Sequence, residues 1–361
     1  KMMKKILSLL TMVFLVMSIV PVVNAVSTST GVGIDIETED FEPLVWMCDG
    51  RLVFDDATEP GRVTGPGMPL SERISNYAFE GEQIQWNVLV MDKNGIEKVR
   101  DVYATIGDVQ GEGNDIEVNC QRTSGPSKIP SSCNARILEE QITTFNPDLM
   151  DYYVCTLTVE TSEGMPSGEY WVTVEAEDYD ELLGTADENE YWYFNPMIGL
   201  SISDLLVFDD GVRPGTSSYS ETLLVGNSAD DGSGVLLDMF VSGTDFYDSQ
   251  SSGAMCPTTN QLSLDSFSYY ATSGAYSTQD DPRADPEGYV PIEYGLGFND
   301  PNPFYGSNEI IHNSGQAPNS YHRGNMLAPG AEIAMTFRLD LPEPCNGDFD
   351  TGSIYFWGEA I

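Results

Sequence analysis

Residues 83–95 read QIQWNVLVMDKNG, and this stretch indicates the fold class. Its apolar residues alternate with polar ones at Ile84, Trp86, Val88 and Val90, which is the period-two pattern of a strand with one buried face. Asp-Lys-Asn-Gly follows at once, and an Asn-Gly pair after an alternating stretch is a strong hairpin signal. The stretch therefore predicts a β-strand that ends in a tight turn.

The same alternation recurs along the chain between turns rich in Gly, Pro, Asn and Asp. Its clearest copies are GVGIDIETED (31–40), EYWVTVEAED (169–178), EIAMTFRLDLP (332–342) and GSIYFWGEAI (352–361). No stretch keeps a helical period over three turns. We therefore predict an all-β protein of two β-sandwich domains, 41–199 and 200–361, the second with a long loop-rich insertion at 247–325.

The first residues have the composition of a secretory signal peptide. Lys4 and Lys5 precede an apolar run over 6–20, and small or branched residues lead to Ala25. The run is shorter than the roughly 20 residues of a spanning helix. We expect residues 1–25 to be removed and the protein to be secreted, extracellular or on the cell surface, without membrane contact after cleavage.

The charge balance excludes some partners. The chain has 57 acidic and 16 basic residues, a formal net charge of −41. Nucleic acid and anionic lipid would both be repelled by such a surface. The balance is compatible with high solubility and with divalent-cation binding, although a solvated acidic surface explains most of these carboxylates.

Six cysteines in an exported chain predict three disulfides. If the halves fold separately, Cys256 must pair with Cys345. Within the first half the sequence leaves the pairing open, and we expect Cys48 with Cys155 and Cys120 with Cys133.

Two segments of the first half resemble bacterial and archaeal surface Ig-like domains. These are FEGEQIQWNVLVMDKNG (79–95) and SGEYWVTVEAED (167–178), which match a Gly-Glu, alternating strand, Asp-x-x-Gly segment and a later Ser-Gly-x-Tyr strand. The resemblance implies an Ig-like β-sandwich over 41–199 and implies no active site.

The second half resembles the jelly-roll domain of the TasA and camelysin type of secreted matrix protein and of archaeal thread-like surface filaments. The matching pieces are Pro214-Gly215, Leu223–Asn227, Val241–Asp245, Leu327–Gly330, Ile333–Leu339, Cys345–Gly352 and Ile354–Ala360. The cysteines, the insertion and the preceding Ig-like half depart from that pattern. The resemblance implies a jelly-roll fold and a role in a filament or matrix fibre.

One ten-residue pattern occurs twice, as LVFDDATEPG at 52–61 and LVFDDGVRPG at 206–215. Leu, Val and Phe favour a strand, paired Asp end it, and Pro-Gly turns the chain. We interpret the copies as equivalent first strands of the two sandwiches. Clustered carboxylates at turns also suit calcium, so Asp55, Asp56, Asp209 and Asp210 are candidate calcium ligands, although none has EF-hand spacing.

Catalytic motifs are absent from the sequence. His312 and His322 are its two histidines, and neither Gly-x-Ser-x-Gly nor His-Glu-x-x-His occurs. We therefore predict a non-enzymatic protein with no catalytic residues and no cofactor other than the candidate calcium ion. Tyr269-Tyr270 and the 289–294 region are candidate sugar-binding aromatics, with core packing as the alternative.

The sequence supports a structural function best. We expect an extracellular subunit of a cell-surface filament or matrix fibre, assembled when residues 26–40 of one copy, with Val32, Ile34 and Ile36 on one face, add to a sheet edge of the next. Partners would be copies of itself or other surface proteins. The alternatives are that 26–40 is the first strand of its own domain, that the protein is a monomeric adhesin or carbohydrate-binding module presenting 247–325, or that it is an extracellular hydrolase.

Overall fold

The computed structural model describes residues 39–54, 73, 75–111, 114–134, 142, 144–187, 190–208, 212–250, 252–295, 308–312 and 322–361. Over these residues the chain is all-β, as predicted. The helical parts in this portion of the chain are α1 (Ser131–Asn134) and 3-10 turns at Ile96–Lys98, Leu264–Ser266 and Thr278–Asp280.

The described part of the first half contains nine strands. They are β1 (Leu44–Phe54), β2 (Tyr77–Ala78), β3 (Gln83–Met91), β4 (Val99–Gly107), β5 (Ile116–Thr123), β6 (Met150–Thr158), β7 (Gly168–Asp178), β8 (Leu183–Ala186) and β9 (Tyr191–Phe194). They pair in the order β1-β3-β6-β5-β4-β7-β9-β2, with β8 also beside β7. Strand β5 pairs with β4 over its first residues and with β6 over its last, so it passes from one layer of the sandwich to the other.

The alternation of β3 places two cores on its two faces. Ile84, Trp86, Val88 and Val90 all point into the core between the layers, as predicted. Leu89 points to the opposite face, into a smaller core. That second core is closed by residues of α1 and the 142–149 segment. The sheet layer of β1, β3 and β6 is therefore buried on both faces.

The structure corrects the disulfide pairing expected in the first half. The bonds are Cys48–Cys133 and Cys120–Cys155. Cys120 and Cys155 lie directly opposite on neighbouring strands. Cys48 points to the smaller core, where Cys133 of α1 covers it, whereas Cys155 points to the core between the layers. The expected Cys48–Cys155 and Cys120–Cys133 pairs are wrong because each would join a cysteine of the core between the layers to a cysteine of the smaller core.

The described part of the second half contains twelve strands. They are β10 (Leu200–Ile202), β11 (Ser217–Tyr219), β12 (Leu223–Asn227), β13 (Leu237–Gly243), β14 (Phe246–Tyr247), β15 (Gln261–Leu262), β16 (Phe267–Ser273), β17 (Tyr276–Ser277), β18 (Val290–Pro291), β19 (Met326–Leu327), β20 (Glu332–Asp340) and β21 (Ile354–Ala360). One sheet has the order β10-β12-β20-β16-β17, with β11 beside β20 and β18 beside β16. A smaller sheet has the order β19-β13-β21, and β14 pairs with β15.

The two sheets of the second half enclose one core. Alternate residues of β12, β13, β16 and β20 meet there, namely Leu223, Val225, Met239, Val241, Tyr269, Ala271, Ile333, Met335 and Phe337. The Cys256–Cys345 disulfide, expected from the sequence, lies at this core. Burial of both sheets' inner faces gives the second sandwich its stability.

The segment 247–325 is not simply an insertion. It contains β16, which pairs with β20 from Phe267 to Thr272 and lies in the interior of the larger sheet. Phe267, Tyr269 and Ala271 are buried in the core. The abundance of Ser and Tyr hid a period-two strand that completes the fold.

The residues of the ten-residue pattern that the structure describes in both copies, 52–54 and 206–208, differ in structure. The first copy begins inside β1, which ends at Phe54. In the second copy Phe208 makes only an isolated bridge with Ser220, and Val207 is 60% exposed. The interpretation of both copies as equivalent strands is therefore wrong, because Leu206 to Phe208 have no continuous neighbouring strand.

Residues 41–361 form one compact unit. At the junction between the sandwiches, β2 runs parallel to β9. Tyr77 of β2 packs into the core of the second sandwich, and its hydroxyl donates a hydrogen bond of 2.8 Å to the Ile361 carbonyl. The Gln83 end of β3 lies near this junction, since Glu82 accepts from the Phe79 amide at 2.8 Å.

Candidate functional site

Strand β21 forms an edge of the smaller sheet in the second sandwich. It pairs with β13 along its whole length, from Ile354 opposite Gly243 to Ala360 opposite Leu237. The Ile361 amide donates a hydrogen bond of 2.9 Å to the Leu236 carbonyl, so Ile361 and every second residue before it bond to β13. In an antiparallel pair alternate residues bond to the partner strand, so the backbone groups of Ile354, Phe356, Gly358 and Ala360 point away from β13.

No strand of the described chain pairs with this outer side of β21. The edge is seven residues long, close to the length of an average strand. Natural edge strands are commonly protected by Lys, Pro or bulges. β21 reads IYFWGEA and has neither Lys nor Pro, and its register with β13 is continuous.

Strand β10 forms an edge of the larger sheet on the same side of the sandwich. It pairs with β12, and hydrogen bonds of 2.9 Å join Ser228 N to the Gly199 carbonyl at one end and Ser203 N to the Leu224 carbonyl at the other. Residues 199 and 203 therefore face β12, and so does residue 201 between them. The backbone groups of Leu200 and Ile202 therefore point away from β12. Within the described residues no other strand pairs with β10.

The two edges lie side by side. A Cβ built on Gly358 of β21 would lie 3.0 Å from Leu200 Cδ2, so the side chain of Leu200 rests against the glycine backbone. Leu200 and Ile202 remain 36% and 49% exposed. We name these adjoining strands β10 and β21 the open edge.

An exposed apolar stretch flanks the open edge. Met197, Ile198, Leu205 and Val207 are between 44% and 81% exposed. Together with β10 they place six large apolar side chains at the surface within residues 197–207. Contiguous exposed apolar residues of this kind mark interaction sites in soluble proteins.

Several residues proposed from the sequence lie outside the described residues. These are the candidate donor residues Val32, Ile34 and Ile36, the signal peptide 1–25, and the candidate calcium ligands Asp55, Asp56, Asp209 and Asp210. The described residues contain no group of three or more His, Cys, Asp or Glu side chains that could hold a metal ion.

The aromatic residues proposed as a sugar platform separate into two environments. Tyr269 is a core residue with 1% exposure, and burial raises its pKa beyond the usual range. Tyr270 and Tyr289 lie on the surface beside Tyr219, with ring centroids 5.8 Å apart and planes tilted by 49° and 58°. Arg338 lies over the Tyr289 ring at 4.5 Å. The tilted rings do not form a flat platform.

The two histidines are brought to neighbouring positions. His312 Nδ1 lies 2.9 Å from Glu309 Oε2. His322 packs edge-on against Tyr276, and burial lowers its pKa while the charge of Glu309 opposes that shift. No serine nucleophile is hydrogen-bonded to either imidazole within the described residues.

The open edge was not predicted from the sequence. The available signal was the apolar strand IYFWGEA at 354–360, which lacks a protecting Lys or Pro.

The remaining observations concern export and similarity. Three disulfides are compatible with an exported protein. In the portion described, no helix is both long and apolar enough to cross a membrane.

No protein-family model and no curated protein matches the sequence. One similar crystal structure is of an Eubacterium rectale protein inferred to be secreted, with 8% identity and a TM-score of 0.22. The match covers 77% of this chain and 66% of that one, just under two thirds of its length.

Proposed function

We propose that this protein is an extracellular structural subunit, and that copies assemble into a cell-surface filament or matrix fibre by β-strand addition. The observation that carries the proposal is the open edge, where the outward backbone groups of β21 lie next to the exposed Leu200 and Ile202 of β10. An added strand would pair with the backbone of β21 and place alternate apolar side chains beside β10.

The donor in this proposal is the segment 26–40. Within it Val32, Ile34 and Ile36 alternate with Gly33 and Asp35, the pattern that an edge strand over an apolar surface selects. The seven residues 31–37 match the seven residues of β21, which span roughly 23 Å at strand spacing.

Chain length indicates that the donor and the acceptor belong to different copies. Phe41 is bonded to Asn94 at 2.7 Å, at the end of β3 away from the junction. Strand β3 alone spans roughly 30 Å. Three residues separate Glu37 from Phe41, and the four Cα–Cα steps between them reach at most about 14 Å. A reach shorter than β3 favours an acceptor on a neighbouring copy over β21 of the same copy.

Such an exchange is head-to-tail. In the proposed fibre each copy donates residues 26–40 to one neighbour and accepts the same segment of another neighbour at β21. A heterologous contact that does not close on itself repeats indefinitely. Exchange of this kind builds a linear fibre, whereas reciprocal exchange between two copies would close as a dimer, and microscopy distinguishes the two.

The decisive experiment is negative-stain microscopy of the mature protein with and without residues 26–40, at high concentration. We expect fibres from the intact protein and none from the shortened one, and a peptide of residues 26–40 should bind the shortened protein. Absence of polymer in the intact form would contradict the proposal.

A second variant tests the acceptor. Ala360→Pro removes an outward amide that β13 does not use, so the fold should persist while the edge loses a donor. Ala360→Ser keeps the amide and is the matched control. We expect fibres from the serine variant alone, and equal assembly of both variants would exclude β21 as the acceptor.

A further inference from the structure

A buried aspartate lies at the centre of the smaller sheet of the second sandwich. Asp238 on β13 has no exposed surface, and it stands opposite Met326 of β19 on one side and Glu359 of β21 on the other. Directly opposite residues of an antiparallel pair share a face, with Cβ atoms about 5.5 Å apart. The C-terminal strand therefore presents a second carboxyl group to Asp238.

A third carboxyl group approaches from the covering segment 308–312. Glu309 is 3% exposed and bridges to Phe240 of β13, two residues from Asp238. Its carboxylate faces His312 at 2.9 Å, and its carbonyl accepts a hydrogen bond from Arg283 at 3.4 Å. We name Asp238, Glu309 and Glu359 the carboxyl cluster.

The other elements around the cluster supply few further charges. The segment that leads into β19 contributes His322, whose pKa is lowered by burial, raised by the charge of Glu309 and lowered by that of His312. The adjoining residues of β19, Met326 and Leu327, are apolar. The largest electrostatic influences on Asp238 are two carboxylates and include no cation.

One oxygen of Asp238 has an obvious partner and the other does not. Oδ1 accepts from Asn325 Nδ2 at 2.5 Å, and the same amide group donates to the Met239 carbonyl at 2.7 Å. Oδ2 is buried and has no hydrogen-bond partner in the part of the chain described. Burial raises the pKa of Asp238 well above its usual value, and the charges of Glu309 and Glu359 raise it further.

We propose that the carboxyl cluster is a proton-operated latch on the C-terminal strand: a proton on Asp238 holds β21 against β13, and release of that proton loosens β21. With the proton present, Oδ2 becomes a donor toward its carboxylate neighbours. Without it, like charges face each other directly across the β13–β21 ladder, which destabilises the pairing. Because Asp238 has no exposed surface, water cannot screen that repulsion effectively.

The sign of the pH dependence follows from linkage. The pKa of Asp238 is raised in the folded protein above the value of 3.8 for the free side chain. Its proton therefore stabilises the fold fully below about pH 3.8, and this contribution is lost as the pH rises through the folded pKa. Acid tightens the C-terminal strand, and alkali loosens it.

Hydrogen exchange on the monomeric fraction of the full-length chain tests the latch. The amides of Tyr355, Trp357 and Glu359 face β13 and report on the ladder. We expect their protection factors to fall by at least about tenfold between about pH 5 and pH 9, since one unit of pKa shift corresponds to a tenfold change. In Asp238→Asn, whose amide keeps the shape and carries a donor, protection should be independent of pH.

Two further variants keep the test decisive. Glu359→Gln removes one of the facing charges and should reduce the fall even if Asp238→Asn does not fold. Glu332→Gln, at an exposed carboxylate of β20, should behave as the unmodified chain. An unchanged pH dependence in both Asp238→Asn and Glu359→Gln, or none in the unmodified chain, would overturn the latch.

Regulation of assembly by this latch rests on the proposed function, because β21 is the acceptor strand of the open edge. The two ideas fail separately. Exchange in the monomer reports the latch whether or not fibres form, and microscopy at one fixed pH reports the fibres whether or not the latch exists.

Discussion

A buried ion pair at the junction of the sandwiches gives a sharp stability prediction. Arg73 and Glu82 form two contacts of 2.8 and 3.0 Å, with side chains only 3% and 5% exposed. Arg73 also lies over the ring of Tyr77, at 4.2 Å from its centroid. The pair supports the residue that links the two cores.

Glu82→Ala should lower the free energy of unfolding by about 4 kcal/mol. Breaking a buried pair from one side leaves an uncompensated charge, which typically costs about 3–5 kcal/mol. The Phe79 amide also loses its acceptor, a further cost of about 1 kcal/mol that partial solvation of Arg73 offsets. Urea unfolding followed by circular dichroism measures the difference.

The chain supplies a matched control in Lys98 and Asp180. Their contact is 3.5 Å, and both side chains are nearly half exposed, at 45% and 47%. Asp180→Ala should therefore cost less than about 1 kcal/mol. The double change Arg73→Met with Glu82→Leu should recover most of the loss, since no charge is left buried. Equal costs for Glu82→Ala and Asp180→Ala would refute the reasoning.

Three other predictions follow from single features. Gly184→Ala should cost about 1–3 kcal/mol in thermal unfolding, because its Cβ would lie 1.7 Å from the Pro43 carbonyl oxygen and β8 would be forced away from the start of β1; an unchanged melting temperature would contradict this. Asn227→Ala should cost roughly 2–4 kcal/mol by calorimetry, because the buried amide donates to the Val235 and Leu327 carbonyls and accepts from the Ala229 amide; a cost below about 1 kcal/mol would argue against that role. Fibre growth followed by light scattering should accelerate between about 0.1 M and 1 M NaCl, because the Debye length falls from about 10 Å to about 3 Å and the subunits repel less; the full chain has a net charge of −41, and loss of Lys1, Lys4 and Lys5 with residues 1–25 makes the subunit more acidic still. Slower growth at high salt would count against strand addition.

Local patterns predicted the parts of the fold that depend on neighbouring residues. The alternation of β3 gave its inward face correctly, and a tight turn does follow the strand, but the hairpin that Asn-Gly signals is wrong, because β3 pairs with β1 and β6 and not with β4. The backbone N–H of Asn94 donates to the Asp92 carboxylate at 2.7 Å, and Gly95 adopts a φ of 120°. Both features are fixed within a few residues of sequence, so periodicity and turn propensity suffice.

Long-range pairings could not be predicted in this way. Cys120 meets Cys155 only because β5 lies next to β6, and spacing along the chain does not determine strand order. The carboxyl cluster likewise gathers Asp238, Glu309 and Glu359 from three distant segments. Strand β16 was overlooked for another reason: Ser268 and Thr272, on the face away from the core, made an alternating strand look like a loop.

The disulfides also determine how the chain would carry mechanical force. A pull between Phe41 and Ile361 passes through the Cys256–Cys345 bond, so the 89-residue span that it bridges bears no tension. That span would add roughly 300 Å of extended chain if the bond were reduced. The oxidised molecule therefore has a shorter maximum length under load than the same molecule in a reducing environment.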